Sequence, residues 1–418
     1  MHGRNKMSKE DYIALDKKHL VHPTSSLKDQ QIKRPEMIVK EGDGIYVIDL
    51  DNKRYIDGVS SLSNVHLGYG KKEVANAALN QLKKLSHSPL NQSYSHTPAI
   101  LLSAKIATLT PKCLNRVFFT TGGTESYHIA CQMAKRYWAL QSDANEKKWI
   151  LNSKPQNGIN ASLNENADFL YVKSYCIQFL HSIIKNKGAD KIAAIVVEPI
   201  LYSKGIEIPS NDYFQQVEKI CQEKNILLIV DETHTGFGQT GKLFACEHWG
   251  ISPDLLLLSN GLTSGYFPLG AVCMSEEIFQ VYKEHDEGEF QLSETSRGHP
   301  VACAIALQNI ETILKEKLTE HANQIGKLLT KKLTKLKEKY PVIQSIRSIG
   351  LLCAIDFKSE YPYPLAYRIR DIAQNLGLIV EAITSENQDT IVFAPPIIIN
   401  NKELNVLIRI LDEAIHSA

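Results

Sequence analysis

The stretch Asp231-Glu232-Thr233-His234-Thr235-Gly236-Phe237-Gly238-Gln239-Thr240-Gly241 follows directly on the apolar run Ile226 to Val230. A short apolar run that breaks into two carboxylates, hydroxyls and glycines reads as a buried strand delivered into a polar turn. The same pattern recurs along the chain. Val117-Phe118-Phe119-Thr120 runs into Gly122-Gly123-Thr124-Glu125, Ile192 to Val197 ends at Glu198-Pro199, and Leu255 to Leu258 ends at Ser259-Asn260-Gly261. After the glycine turn, Ile129, Met133 and Tyr137 recur at four-residue spacing, as on one helix face. Strands alternating with helical stretches predict an α/β fold, a mainly parallel sheet covered by helices. Ligands of such sheets bind outside the carboxyl ends of the strands, so the polar clusters there predict a common site.

Working outward, the pattern changes after about His299-Pro300 to long helices, including the Lys-rich stretch from Glu311 to Tyr340. Short strands follow around Leu351 to Asp356 and Thr390 to Phe393, which predicts a second, smaller α+β domain. The Lys-rich stretch reads as a solvated face, since Glu316, Glu320 and Glu338 interrupt it. The chain has 418 residues, 43% hydrophobic and 22% charged, enough for two domains. Lys and Arg number 47 against 46 for Asp and Glu, so no global field draws the protein to nucleic acid or an anionic membrane. A small-molecule partner is the expectation. The first thirty residues are polar and charged, and no apolar run approaches a membrane span, so a cytoplasmic location is expected. Eight cysteines stand singly at 113, 131, 176, 221, 246, 273, 303 and 353, without metal-type spacing, and read as reduced, buried residues.

The Asp231 to Gly241 stretch resembles the signature of the class III aminotransferases. The resemblance continues through Phe244-Ala245-Cys246-Glu247-His248, Pro253-Asp254, Gly261-Leu262-Thr263-Ser264-Gly265-Tyr266 and Pro268-Leu269-Gly270-Ala271-Val272. Upstream, Gly42-Asp43-Gly44, Tyr55-Ile56-Asp57-Gly58 and Leu67-Gly68-Tyr69-Gly70 fit the family, as do Gly298-His299-Pro300-Val301-Ala302-Cys303-Ala304 and Pro395-Pro396 downstream. It implies the fold type I, aspartate-aminotransferase-like transferase fold, with an N-terminal segment 1–58 packing on a small domain 306–418 and a large cofactor domain 59–305. It implies a pocket for pyridoxal 5′-phosphate (PLP) or its amine form, pyridoxamine 5′-phosphate (PMP), shared between the subunits of a homodimer. Gly122, Gly123 and Thr124 match the phosphate turn, where backbone N–H groups at a helix N-terminus suit an anion. Asp231 matches the carboxylate that keeps the pyridine nitrogen protonated, and Thr295 the residue that reaches the phosphate from the neighbouring subunit.

The family's lysine, which binds PLP covalently and moves a proton between substrate and cofactor, precedes the Gly-Leu-Thr-Ser-Gly run. Asn260 stands there in this chain. An amide is neither nucleophile nor base near neutral pH, and loss of a general base alone costs on the order of 10²–10⁴ in rate. Other family positions differ as well. Gln156-Asn157-Gly158 stands for Tyr-His-Gly, Leu201-Tyr202 for Gln-Gly and Gln239 for an arginine, and the aromatic near Leu62-Ser63 is missing. Ordinary lysine-dependent transamination and covalent PLP are therefore not expected; PLP, PMP or another phosphorylated ligand held non-covalently is. His234, two residues beyond the Asp231-Glu232 pair, is the candidate replacement base. Arg297 and Arg347 are candidates by position for a substrate carboxylate or for structural ion pairs, and Glu198, Lys204 and His299 read as structural. Several readings stay open: a diverged catalyst or binding protein for an amine, amino acid or phosphorylated ligand, a non-catalytic subunit that pairs with an active paralogue, an enzyme that uses the old pocket without PLP, and an aminotransferase whose lysine was replaced on purpose. No metal site is expected.

Overall fold

The computed structural model describes residues 7–418 except 24–25, 33–36, 92, 112–113, 142–146, 154–167, 286–293, 359–363 and 386–387. Gln156-Asn157-Gly158 and Cys113 lie outside the described residues.

After two helices, Lys9–His19 and Leu27–Ile32, the chain forms a meander of β1 (Val39–Asp43), β2 (Tyr46–Asp49) and β3 (Arg54–Asp57). The central sheet is built from β4 (Arg116–Thr120), β5 (Trp149–Asn152), β6 (Phe169–Tyr171), β7 (Ile192–Val197), β8 (Leu227–Asp231), β9 (Leu255–Leu258) and β10 (Gly270–Met274). Its order is β4-β10-β9-β8-β7-β5-β6, parallel from β9 to β6, with β10 antiparallel to both β4 and β9. The inner strands are buried on both faces, which explains their continuous apolar runs. Pleating sends Val230, Leu256, Leu258 and Ala271 into one core layer and Ile229, Leu255, Leu257 and Val272 into another. The helix Gly123–Leu140 covers the second layer with Ile129, Met133 and Tyr137, the positions that the four-residue spacing picks out.

The C-terminal part holds an antiparallel sheet of β11 (Ile343–Ile349), β12 (Leu352–Phe357), β14 (Glu381–Ser385) and β15 (Gln388–Phe393), in the order β11-β12-β15-β14. β13 (Leu378–Ile379) pairs in parallel with β3, tying the N-terminal meander to this part. The Lys-rich stretch is not one continuous helix. Pro300–Lys315 and Leu318–Lys339 are separate helices, broken where Lys317 turns left-handed at φ +51. The break lets the second helix bury Ala322, Ile325 and Leu329 while its lysines face solvent. Six of the seven described cysteines are buried, and all seven are free thiols. Among the described residues no helix is long and apolar enough to cross a membrane.

One backbone stack joins the two parts. A Cβ on Gly326, in the helix Leu318–Lys339, would lie 2.1 Å from the Gly350 carbonyl oxygen, and one on Gly350 would lie 2.4 Å from the Gln239 carbonyl oxygen. Gly350 has φ +59, and the next residue, Leu351, donates its N–H to that same Gln239 oxygen at 2.8 Å. The turn that follows Asp231 is thus seated directly on C-terminal backbone. Gly326→Ala cannot be absorbed by a side-chain rotation and is expected to destabilise by roughly 1–3 kcal/mol, read as a lower urea midpoint with an unchanged slope; an unchanged midpoint would disprove the close contact.

Candidate active site

The carboxyl ends of β4, β7, β8 and β9 lie on one edge of the central sheet, and each delivers a polar turn. After β4 the chain turns through Thr121 and Gly122 into the helix that starts at Gly123, whose N-terminus carries no side-chain cap. Thr121, Gly122, Gly123, Thr124, Glu125 and His128 line an open pocket of ≈ 380 Å³. A Cβ on Gly122 would meet nothing within 4 Å, whereas one on Gly123 would lie 2.4 Å from Thr233 Cγ2. Thr233 Oγ1, buried beside Gly123, has no hydrogen-bond partner. A helix N-terminus, glycine backbone and an orphaned hydroxyl suit a phosphate, which accepts hydrogen bonds and interacts favourably with the positive helix end. Thr233 carried no signal in the sequence beyond its place after the Asp-Glu pair.

Glu125 shapes the same turn. It accepts from the Thr121 N–H at 2.6 Å and hydroxyl at 2.8 Å, and from Arg297 Nε at 2.8 Å. Burial works to raise the Glu125 carboxyl, but these hydrogen bonds and the guanidinium outweigh it and hold it below the ordinary range. Arg297 is thereby engaged in an ion pair with Glu125. Thr295 sits exposed on the turn leading to Arg297 and does not line this pocket.

The two carboxylates that end β8 do different work. Glu232 is buried and closes the following loop, accepting from the Thr235 hydroxyl at 2.5 Å and from the N–H groups of Ala245 and Cys246 at 3.0 and 2.7 Å. Burial pushes its carboxyl up despite those bonds. Asp231, also buried, accepts from the Thr233 N–H at 3.0 Å.

Asn260 opens the short helix Asn260–Thr263 at the end of β9. Gly261 makes this approach possible, since a Cβ there would lie 2.5 Å from His66 Cε1 and 2.6 Å from the Gly236 oxygen. Asn260 Nδ2 is 3.2 Å from His234 Nδ1 and 3.5 Å from the Leu62 carbonyl. A carbonyl can only accept, so the amide nitrogen belongs on that side. It then donates to His234 Nδ1, leaving the imidazole proton on Nε2. The Tyr202 ring stacks on His234, centroids 5.7 Å apart and planes 17° off parallel.

Leu62 belongs to a left-handed turn that sequence reading does not foresee. Ser60, Ser61, Leu62 and Ser63 have φ of +48, +49, +61 and +56 in succession, each costing roughly 1–2 kcal/mol for a residue with a Cβ. The turn is pinned on several sides. Asp57 accepts from the Val59 N–H at 3.2 Å, Gln239 donates to Ser60 Oγ at 3.2 Å and to the Ala394 carbonyl at 3.0 Å, and buried His66 lies between the carbonyls of Ser63 and Phe237. Burial pushes the His66 imidazole down to about 4, so it is neutral near pH 7.

The remaining candidates serve the frame. Lys204 donates to Ser174 Oγ at 2.7 Å, His299 caps the helix Pro300–Lys315 by accepting from the Val301 N–H, and Arg347 holds Asp356 and the carbonyls of Gly205 and Ile206. Glu198 is buried at the end of β7. Among the described residues no cluster of His, Cys, Asp and Glu is suited to a metal ion.

Comparison with known proteins agrees with this architecture. The family model for aminotransferase class III matches residues 28–156 and 153–415. The chain is 30% identical to the adenosylmethionine-8-amino-7-oxononanoate aminotransferase of Anoxybacillus flavithermus, covering 97% of this chain and 96% of that one. It superposes on a transaminase from the marine bacterium Virgibacillus with a TM-score of 0.93 at 38% identity, covering 97% and 98% of the two chains. A Pseudomonas jessenii omega transaminase solved in complex with PMP matches with a TM-score of 0.89 at 28% identity over 97% of each chain. This chain belongs to the class III aminotransferases, with their fold type I α/β architecture.

Proposed function

We propose that this protein binds PLP or PMP non-covalently at the carboxyl edge of its central sheet and acts on a small amine or amino acid without lysine-dependent transamination. The observation that carries this reading is the Asn260 amide, which stands at the family's lysine position and donates to His234 beside the Asp231 turn. Gly122, Gly123, Thr124 and the orphaned Thr233 hydroxyl would hold the phosphate, and Asp231 would face the pyridine nitrogen. When bound, PLP or PMP supplies the electron-withdrawing ring that amine chemistry requires. With no lysine at this position, His234 Nδ1 is the base, and it becomes available only when the Asn260 amide turns away. In a homodimer, Thr295 would complete the neighbour's phosphate site. Exposed Leu79 and Leu82 on the helix Lys72–Lys84, with Ile100 and Leu101 on Thr97–Leu109, give apolar outer faces to two helices that both pack on the helix Pro300–Lys315, and these faces support such a partner.

The direct test is titration of the purified protein with PMP and with PLP, followed by absorbance. Saturable binding of both is expected. PLP should leave the wild-type chain on denaturation, and Asn260→Lys should retain its mass after borohydride reduction. If neither form binds saturably, the cofactor reading fails. Within the turn, Gly123→Ala pushes on Thr233 and should weaken PMP binding by about tenfold, the equivalent of one lost hydrogen bond of roughly 1.5 kcal/mol. Gly122→Ala, pointing into open space, should leave it within a factor of about two, and equal effects of the two would exclude this orientation of the turn. Any amine turnover of the wild type should fall by about 10²–10⁴ in His234→Ala; turnover that survives excludes His234 as the proton carrier.

A further inference from the structure

Six residues line the pocket at the glycine turn, and near pH 7 one of them carries the charge. Thr121, Gly122, Gly123 and Thr124 are uncharged, and burial pushes the His128 imidazole down, which leaves the Glu125 carboxylate. A carboxylate in the wall of a phosphate pocket works against the ligand, because like charges at close range repel strongly where little water screens them. Hydrogen bonds and the neighbouring guanidinium hold this carboxyl below the ordinary range, so it does not escape the conflict by taking up a proton.

The chain answers the charge from outside the pocket. The two oxygens of Glu125 are divided. Oε2 accepts from the Thr121 N–H at 2.6 Å and from its hydroxyl at 2.8 Å, while Oε1 accepts from Arg297 Nε at 2.8 Å and from Nη2 at 2.5 Å. Arg297 lies 172 positions away in sequence, on the turn before the helix Pro300–Lys315, and is not among the lining residues. Its side chain is 13% exposed and that of Glu125 23%, and the guanidinium stands 5.4 Å from the centre of the Phe118 ring in β4. The pair is therefore largely shielded from water, and the positive charge is permanent, since a guanidinium does not deprotonate in proteins. Holding Thr121 needs only a neutral acceptor, for which an amide oxygen would serve. A carboxylate at this place brings a charge with it, and Arg297 is the group that cancels it.

We propose that Arg297 is a positioning and charge-compensating residue that acts through Glu125: it cancels the one carboxylate in the pocket wall and so sets the preference of the turn for a phosphate over an uncharged group. The inference rests on the reading of this turn as a phosphate site.

Isothermal titration of the full-length protein tests it, with PMP, with inorganic phosphate, and with pyridoxamine, which has the same ring and no phosphate. Arg297→Gln is expected to weaken PMP and inorganic phosphate by about tenfold or more, the effect of one uncompensated charge close to the ligand, and to leave pyridoxamine within about a factor of two. The double variant Glu125→Gln/Arg297→Gln removes both charges and should return PMP to within about threefold of the wild type. Glu125→Gln alone, which keeps an oxygen for Thr121, should bind PMP as tightly as the wild type or more so. Unaltered PMP binding in Arg297→Gln, an equal loss for pyridoxamine, or no recovery in the double variant overturns the proposal and leaves the pair as a structural staple. Should Arg297→Gln fail to fold, weaker PMP binding by Glu125→Gln overturns it. A wild type that binds neither PMP nor inorganic phosphate instead overturns the phosphate reading of the turn, and this inference with it.

Discussion

The structure depends on β7, β8 and β9 being buried on both faces. Strands enclosed in this way satisfy their backbone groups within the sheet and expose no polar side chain along their length. Polarity has to emerge at the ends, and the parallel direction puts those ends on one edge. Glu198, Asp231 and Asn260 are near one another because three neighbouring strands stop in register, although long stretches of chain separate them in sequence. The phosphate-type turn joins them through β4, which runs in the same direction as β9 because the antiparallel β10 lies between the two.

On this edge the C-terminal part is more than a cover. The Gly326–Gly350–Gln239 stack sets it against the turn that continues from Asp231, and Gln239, its side chain directed the other way, anchors Ser60 and the Ala394 carbonyl. Four consecutive left-handed residues would cost roughly 4–8 kcal/mol, a large share of the 5–15 kcal/mol by which domains are stable. Such a turn persists only where its surroundings over-determine it, and here it is held by Asp57, Gln239 and His66. What the strain achieves is the direction of the Leu62 carbonyl, which orients the Asn260 amide and through it the imidazole of His234.

Gln239 is uncharged and wholly buried, and serves the left-handed turn. The Glu125–Arg297 and Arg347–Asp356 pairs commit the two arginines that position alone left open to carboxylates of the same chain.

By itself the sequence determined the α/β class, the strands β4, β7, β8, β9, β12 and β15 and the helix after the glycine turn, and it picked out Gly122, Gly123, Asp231 and Asn260 at strand ends. Continuous apolar runs and a helical spacing of four are local properties, legible without knowing the partners. Only the tertiary structure decided that Thr233 stands orphaned beside Gly123, that Asn260 engages His234, and that Ser60 to Ser63 wind left-handed. The break at Lys317 and the pairing of β13 with β3 belong with these. The reason is common to all of them. A strained dihedral, an unmatched hydroxyl or a glycine contact is set by atoms far away along the chain, and no window of neighbouring residues contains those atoms.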